Sequence, residues 1–174
     1  MYLISVYFDD KANRILSRHI DKIARRTGNL FMTEHRVPPH MTLLGIEARK
    51  AEVLVPAFES LSEALTRGQI QFLSVGQLLP YVFYTTPVMN GYLRNLHEVV
   101  YNTFSDISET KVSRYYQPDN LFPHVTLAKT LDKVQMRLAL EEMQNDFQPF
   151  SAAIEKIGLA KVNPHEDVVS FILK

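Results

Sequence analysis

Hydrophobic and polar residues alternate along this chain in two rhythms, and the switch between them marks out its elements. Residues 2–8 alternate with period two, as a strand with one covered face does. Residues 12–26 then place Ile15, Leu16, His19, Ile20 and Ile23 on one helical stripe. The same patterns predict strands at 40–46, 70–78 and 81–88 and helices at 50–66 and 91–104, the last with Leu93, Leu96, Val100 and Phe104 in phase. A loop of about sixteen residues follows, then a strand at 124–129, a helix from about 132 to 146, and closing strands near 152–162 and 167–173. Turn formers stand at Gly28-Asn29, Pro38-Pro39, Arg67-Gly68, Pro80, Asn90-Gly91, Pro118-Asp119-Asn120, Pro149 and Asn163-Pro164. Together these elements make an α+β chain with its helices distributed along the sequence.

Laid against each other, the two halves share a string. Pro39-His40-Met41-Thr42-Leu43 recurs as Pro123-His124-Val125-Thr126-Leu127. With 9 Pro and 6 His in the chain, two such strings arise by chance on the order of once in several hundred thousand shuffled copies. Each copy sits on a predicted strand that follows a proline-bearing loop and precedes a helix. The chain therefore reads as a diverged duplication with a pseudo-two-fold, its halves meeting near residues 79 and 80, and the two equivalent strands can lie side by side in a cleft.

Strand geometry gives the spacing its meaning. Side chains at i and i+2 share a face, roughly 6–7 Å apart, so His40 accompanies Thr42 and His124 accompanies Thr126. The alternate positions, Met41, Leu43, Val125 and Leu127, are apolar, as a core-facing side requires. Two imidazoles across a cleft can supply a general base and a general acid, since each titrates near neutrality. With two hydroxyl donors beside them, they form a site suited to a tetrahedral phosphodiester rather than a planar carboxylate.

Two His-x-Thr motifs, one per half, in a chain of this length and element order resemble the 2H phosphoesterase superfamily, and within it the bacterial 2'-5' RNA ligase-like proteins and cyclic nucleotide phosphodiesterases. The resemblance covers essentially the whole chain. It implies a bilobal α+β fold, with two antiparallel sheets lining a central groove and helices on the outside, as a single domain over 1–174 whose lobes approximate residues 1–79 and 80–174, with terminal strands free to exchange between them. It also implies His40 and His124 as the acid–base pair and Thr42 and Thr126 as ligands of phosphate oxygens. The implied reactions open 2',3'-cyclic phosphates or cleave or join 2'-5' linkages, with no cofactor and no metal. The alternative on the same scaffold is a non-catalytic module that holds a nucleotide or RNA end.

Around the motifs the signals are local. Residues 11–36 carry Lys11, Arg14, Arg18, Lys22, Arg25, Arg26 and Arg36 against Asp21 and Glu34, which ordinarily describes a solvated helix exterior. Arg36, four residues before His40, is a candidate phosphate ligand. Lys129 is another, although strict alternation puts it opposite to His124 unless a bulge intervenes. Tyr115 and Tyr116, in the loop before the second motif, and Tyr81, Phe83 and Tyr84 are candidates to stack on a nucleobase. His19 and His97 lie on helical apolar stripes and read as structural, while His35 and His165 read as exposed. A zinc site from Glu34, His35 and His40 fits no helical His-Glu-x-x-His spacing.

Composition narrows the partners. The 174 residues carry 19 Lys plus Arg and 19 Asp plus Glu, a formal charge of +0, which argues against a long electrostatic footprint on RNA and favours a nucleotide or a short RNA terminus as substrate. The absence of cysteine excludes disulfides, thiolate catalysis and iron–sulfur ligation. Scattered glycines form neither a phosphate-cradling loop nor a dinucleotide fingerprint. No apolar run approaches membrane-spanning length and no signal-peptide pattern opens the chain, so a cytoplasmic location without membrane or protein partner is the expectation.

Overall fold

A computed structural model describes residues 1–162 and 165–174; the turn expected at Asn163-Pro164 lies outside the described residues. The first half runs β1 (Tyr2–Phe8), α1 (Asp10–Thr27), α2 (Phe31–Glu34), β2 (Met41–Glu47), α3 (Val55–Ala64) and β3 (Gly68–Leu78). The second runs β4 (Val82–Pro87), α4 (Gly91–Ser105), β5 (Lys111–Val112), β6 (Val125–Ala128), α5 (Lys133–Asp146), β7 (Phe150–Lys161) and β8 (Glu166–Ile172). The long elements agree with the periodicity. The four-residue α2 and two-residue β5 do not register in it, because neither is long enough to complete a repeat. The helix expected over 50–66 is divided into a 3-10 turn at Ala51–Val53 and α3, where Pro56 sits in the first turn and its missing N–H breaks no bond.

Side-chain caps fix where the long helices begin. Asp9 accepts from the Ala12 N–H at 2.9 Å to start α1, and Asn90 accepts from the Leu93 N–H at 2.8 Å to start α4. Asp132 and Gln135 form a reciprocal capping box at α5. Asp9 also accepts from the Ala153 N–H, tying the start of α1 to β7.

Among the described residues every strand pairing is antiparallel, in the order β1-β2-β6-β4-β3-β7-β8, with β5 added beside β2 and a further pairing of β1 with β7. That last contact closes six strands into a circuit. The twelve-residue β7 makes it possible by pairing β3 through Phe150–Ile154 and β1 through Ile154–Lys161. In the duplicated order β1-α1-β2-α3-β3 and β4-α4-β6-α5-β7, the third strand of each repeat thus pairs with the first strand of the other.

One face of this network is apolar. Ile4, Val6, Phe8, Met41, Phe83, Val125 and Leu127 point from the strands into a core completed by Leu16 and Ile20 of α1, Phe58 of α3, Leu93, Val100 and Phe104 of α4 and Met136 of α5. Each such side chain contributes about 1.5–3 kcal/mol of burial. No helix among the described residues is long and apolar enough to cross a membrane.

Two histidines belong to this packing, as their helical stripes predict. His97 is buried and its Nε2–H donates to the Tyr116 carbonyl at 3.0 Å, anchoring the loop before β6 to α4. His19 is 1% exposed, between the rings of Phe147 and Phe150 at 5.6 and 6.5 Å. Its Nδ1 lies 3.2 Å from Asp146 Oδ2 without the alignment of a hydrogen bond, and Lys22 and Arg18 face the same carboxylate. Burial lowers both imidazoles from their ordinary value, against the opposing pull of Asp146 on His19 and of the Tyr116 carbonyl on His97.

A base held neutral by the fold stabilises it above the unfolded value near ~6.5, and that contribution is lost as the pH falls toward the lowered folded value. The thermal midpoint is therefore expected to drop between about pH 7.5 and about pH 5.5, and less steeply in His19→Gln. Circular-dichroism melts across that range measure the two slopes; equal slopes would remove His19 from the account.

Candidate functional site

Strands β2 and β6 meet at one residue pair, Met41 with Val125. Both occupy the middle position of the repeated string, so this antiparallel bridge is itself the local pseudo-two-fold axis. Continuing the register one step each way sets His40 across from Thr126 and Thr42 across from His124. Opposite Cβ atoms in such a pair stand about 4.5–5.5 Å apart and diagonal ones about 7–8 Å. Two histidines from opposite halves of the chain therefore share one patch of surface, with a hydroxyl beside each. All four side chains are half-buried, while Met41 and Val125 between them are fully buried on the other face.

Each imidazole is aimed by its own backbone. His40 Nδ1–H donates to the Pro38 carbonyl at 2.8 Å and His124 Nδ1–H to the Phe122 carbonyl at 2.9 Å. A carbonyl only accepts, so the proton is on Nδ1 and each Nε2 is left to meet a ligand. The proline of each string bears on this bond: Pro39 and Pro123 restrict the residue before them to extended conformations, and that residue carries the accepting carbonyl. Burial lowers the His40 pKa, the charges of His165 and His124 lower it further, and the Pro38 carbonyl pulls the other way.

The leucine that ends each string is a bulge. Ile4 pairs with Leu44 and Ser5 with Thr42, which skips Leu43; Phe83 pairs with Ala128 and Tyr84 with Thr126, which skips Leu127. The irregularity falls at the same repeat position in both halves. It also answers the alternation that set Lys129 against His124, because the skipped residue reverses the parity beyond it.

The neighbouring strands complete two cross-strand rows. Tyr84 lies beside Thr126 and opposite Gly76, and its ring packs edge-on to His124 at 5.7 Å and to Phe122 at 5.2 Å. Phe122 stacks on His124 at 5.7 Å. On the other repeat, the Ser5 and Thr42 hydroxyls are 3.2 Å apart. Tyr7 follows two residues later with its ring 6.3 Å from that of His40, and Lys156, its partner on β7, holds Nζ 5.2 Å from the Tyr7 centroid. Thr86 donates to the Pro123 carbonyl at 2.9 Å. Burial first, and the Asp167 charge second, raise the Tyr7 phenol above its ordinary value, so it remains a protonated donor.

Two glycines make room for these rings. A Cβ at Gly76 would stand 2.4 Å from the Tyr84 hydroxyl, and one at Gly158 would stand 3.1 Å from Tyr7 Cε2. They occupy equivalent places in the two repeats, each opposite the strand residue that flanks a threonine.

Of the other expected contributors, Tyr84 is placed in the site. Tyr115 is not brought to the histidines by any described contact; it is 65% exposed, with Arg114 5.0 Å over its ring and donating to its hydroxyl at 3.0 Å. Tyr116 is half-buried against the core. Phe83 is fully buried in the core and cannot stack on a ligand. Tyr81 is exposed at the β3–β4 turn. Arg36 is exposed at a positive φ of 49°, and Lys129 is exposed with Nζ 5.8 Å over the Phe31 ring. His35 stacks on that same ring at 4.3 Å and donates to the Phe31 carbonyl. Ser5, Tyr7, Thr86, Phe122 and Lys156 escape a motif search because no local string contains them. The alternation of 2–8 does put Ser5 and Tyr7 on one face.

Against known proteins, the chain matches the model of the 2'-5' RNA ligase superfamily over residues 14–166. Among curated proteins no sequence matches. In fold it is similar to TT0787 of Thermus thermophilus, with a TM-score of 0.60, 17% identity and 99% of this chain aligned to 97% of that one. It is likewise similar to Escherichia coli LigT solved with 3'-AMP, with a TM-score of 0.59, 12% identity and coverage of 99% and 97%, and to LigT solved with NADP+, at 0.56, 13%, 99% and 96%.

The packing of Tyr84 on Gly76 gives a direct check. Gly76→Ala is expected to cost about 1–3 kcal/mol, as overpacked sites do, and markedly less in a Tyr84→Ala background. Chemical denaturation of the four proteins in that cycle reads the coupling; additive losses would mean the ring is not held where it is described.

Proposed function

The chain belongs to the 2'-5' RNA ligase superfamily, and on that premise we propose that it is a phosphodiesterase acting on 2',3'-cyclic phosphates or 2'-5' linkages of nucleotides and RNA ends. Membership itself supports an enzyme of phosphoesterase or ligase-like type. The observation that carries the finer reading is the placement of two imidazoles, each with Nδ1 tied to a carbonyl, diagonally across the Met41–Val125 bridge.

In this reading His40 starts as the base. Its lowered pKa leaves it neutral at pH 7, with the Nε2 lone pair available. It takes a proton from water, the water oxygen bonds to phosphorus, the bond to one ribose oxygen breaks, and His124 Nε2–H protonates that oxygen. Solvent exchange then restores both imidazoles. Thr42 and Thr126 donate to the non-bridging oxygens, where negative charge grows. The Ser5 and Thr42 hydroxyls lie 3.2 Å apart, and with Ser5 as donor the threonine's own proton is free for that role. Both proton transfers are thus assigned to side chains, and the reaction needs no metal.

Tyr84 and Phe122 present the flat surface nearest His124 for a nucleobase, and the exposed Tyr115 ring offers a second one in the loop before the motif. Arg36 and Lys129, in the loops flanking the two motifs, supply positive charge to the ligand's phosphates. Small nucleotides and short termini suit a chain of zero formal charge. The nucleotides bound in the LigT structures, 3'-AMP and NADP+, are ligands of the same size class.

Wild-type protein incubated with 2',3'-cyclic nucleotides in EDTA is expected to turn them over, and His40→Ala or His124→Ala to abolish turnover. Thr42→Ala and Thr126→Ala are each expected to lose roughly 10²-fold in rate. Tight nucleotide binding without turnover would replace the enzyme with a binding module. The pH profile of kcat/KM is expected to be bell-shaped, its acid limb falling below about pH 6.5 as His40 takes up a proton. A profile flat through neutrality would remove the acid–base assignment.

A further inference from the structure

The pseudo-two-fold that equates His40 with His124 also equates their flanks, and there the two repeats differ. Reading outward from His40 along its row gives Tyr7 and then Lys156; reading outward from His124 along the other row gives Thr86 and then Ser74. The inner neighbours of the threonines differ as well, Ser5 beside Thr42 and Tyr84 beside Thr126. One end of this sheet face thus carries an ammonium and a phenol, and the other carries hydroxyls and the aromatic pair Tyr84 and Phe122.

Lys156 is set apart by what surrounds it. It is half-buried, lies along the Tyr7 ring at 5.2 Å, and makes no ion pair among the described residues. Its cross-strand partners are Tyr7 on β1 and Ile172 on β8. The acidic group near this end, Asp167, is itself 3.3 Å from His165 Nε2. A partly desolvated cation without a carboxylate, two strands from the reacting centre and on the same face, is satisfied by an anion brought in with the ligand.

We propose that Tyr7 and Lys156 form a second phosphate subsite, so that the preferred substrate carries a phosphate in addition to the one that reacts. This rests on the phosphodiesterase reading above and adds the substrate class to it. The second phosphate lies on the His40 side, and the nucleobase that packs on Tyr84 and Phe122 lies on the His124 side. The added phosphate has two chemical sources, a 5'-phosphate on the same nucleoside or the internal linkage of an oligonucleotide end.

Three substrates separate them: a nucleoside 2',3'-cyclic phosphate, the same compound with a 5'-phosphate, and a dinucleotide ending in a 2',3'-cyclic phosphate. Wild-type kcat/KM is expected to be at least about tenfold higher for one or both phosphate-bearing arms, and the better arm identifies the source. Lys156→Gln, whose stem still covers Tyr7, is expected to bring that ratio close to one, and Lys156→Arg to restore most of it. A wild-type ratio near one, or a ratio that Lys156→Gln leaves in place, would overturn the subsite. Calorimetry with a nucleoside 2'-monophosphate and 2',5'-bisphosphate asks the same question without turnover. Absence of turnover with a lysine-dependent preference for the bisphosphate would sink the enzyme reading and keep the subsite.

Discussion

The single antiparallel bridge between Met41 and Val125 is the constraint on which the site depends. An antiparallel pair has a two-fold axis through it, so placing the same repeat position on both strands makes the histidines and threonines converge without any further device. Slide either strand by one residue and every side chain changes face. The pairing is held by burial of Met41 and Val125 in the core and by closure of the six-strand circuit around it. The third strand of each half pairs with the first strand of the other, which ties the two halves into one circuit.

Preorganisation follows from short-range bonds. The two Nδ1 contacts reach back only two residues, across a proline that has already limited the conformations of the accepting residue. Little of the imidazole's orientation depends on distant packing. The hydroxyls are less local: Thr42 relies on Ser5 from another strand. Charge is set by surroundings, with burial and neighbouring imidazoles keeping His40 neutral while the phenol of Tyr7 keeps its proton.

Much of this was legible in the sequence. Period-two and period-3.6 patterns gave the long strands and helices, because in a two-layer α+β fold one face of each element is buried. The doubled Pro-His-x-Thr-Leu string located the four central side chains, since a strand's alternation is enough to put His and Thr together. The flanking residues were not legible. Tyr7, Lys156 and Thr86 come beside the histidines through pairings of β1, β7 and β4, and no local pattern encodes which strand lies next to which. Phe83 and Tyr84 show what alternation does settle: as neighbours on one strand they take opposite faces, one ring in the core and the other beside His124. The short α2 and β5 are fixed by tertiary contacts rather than by their own periodicity.

The bulges at Leu43 and Leu127 have a consequence for how such a chain can vary. Each extra residue resets the phase of its strand, so the alternation that sets His and Thr on one face before it does not carry on beyond it. Two halves that match at four positions of one five-residue string keep a common centre because, just past that centre, each strand starts counting again.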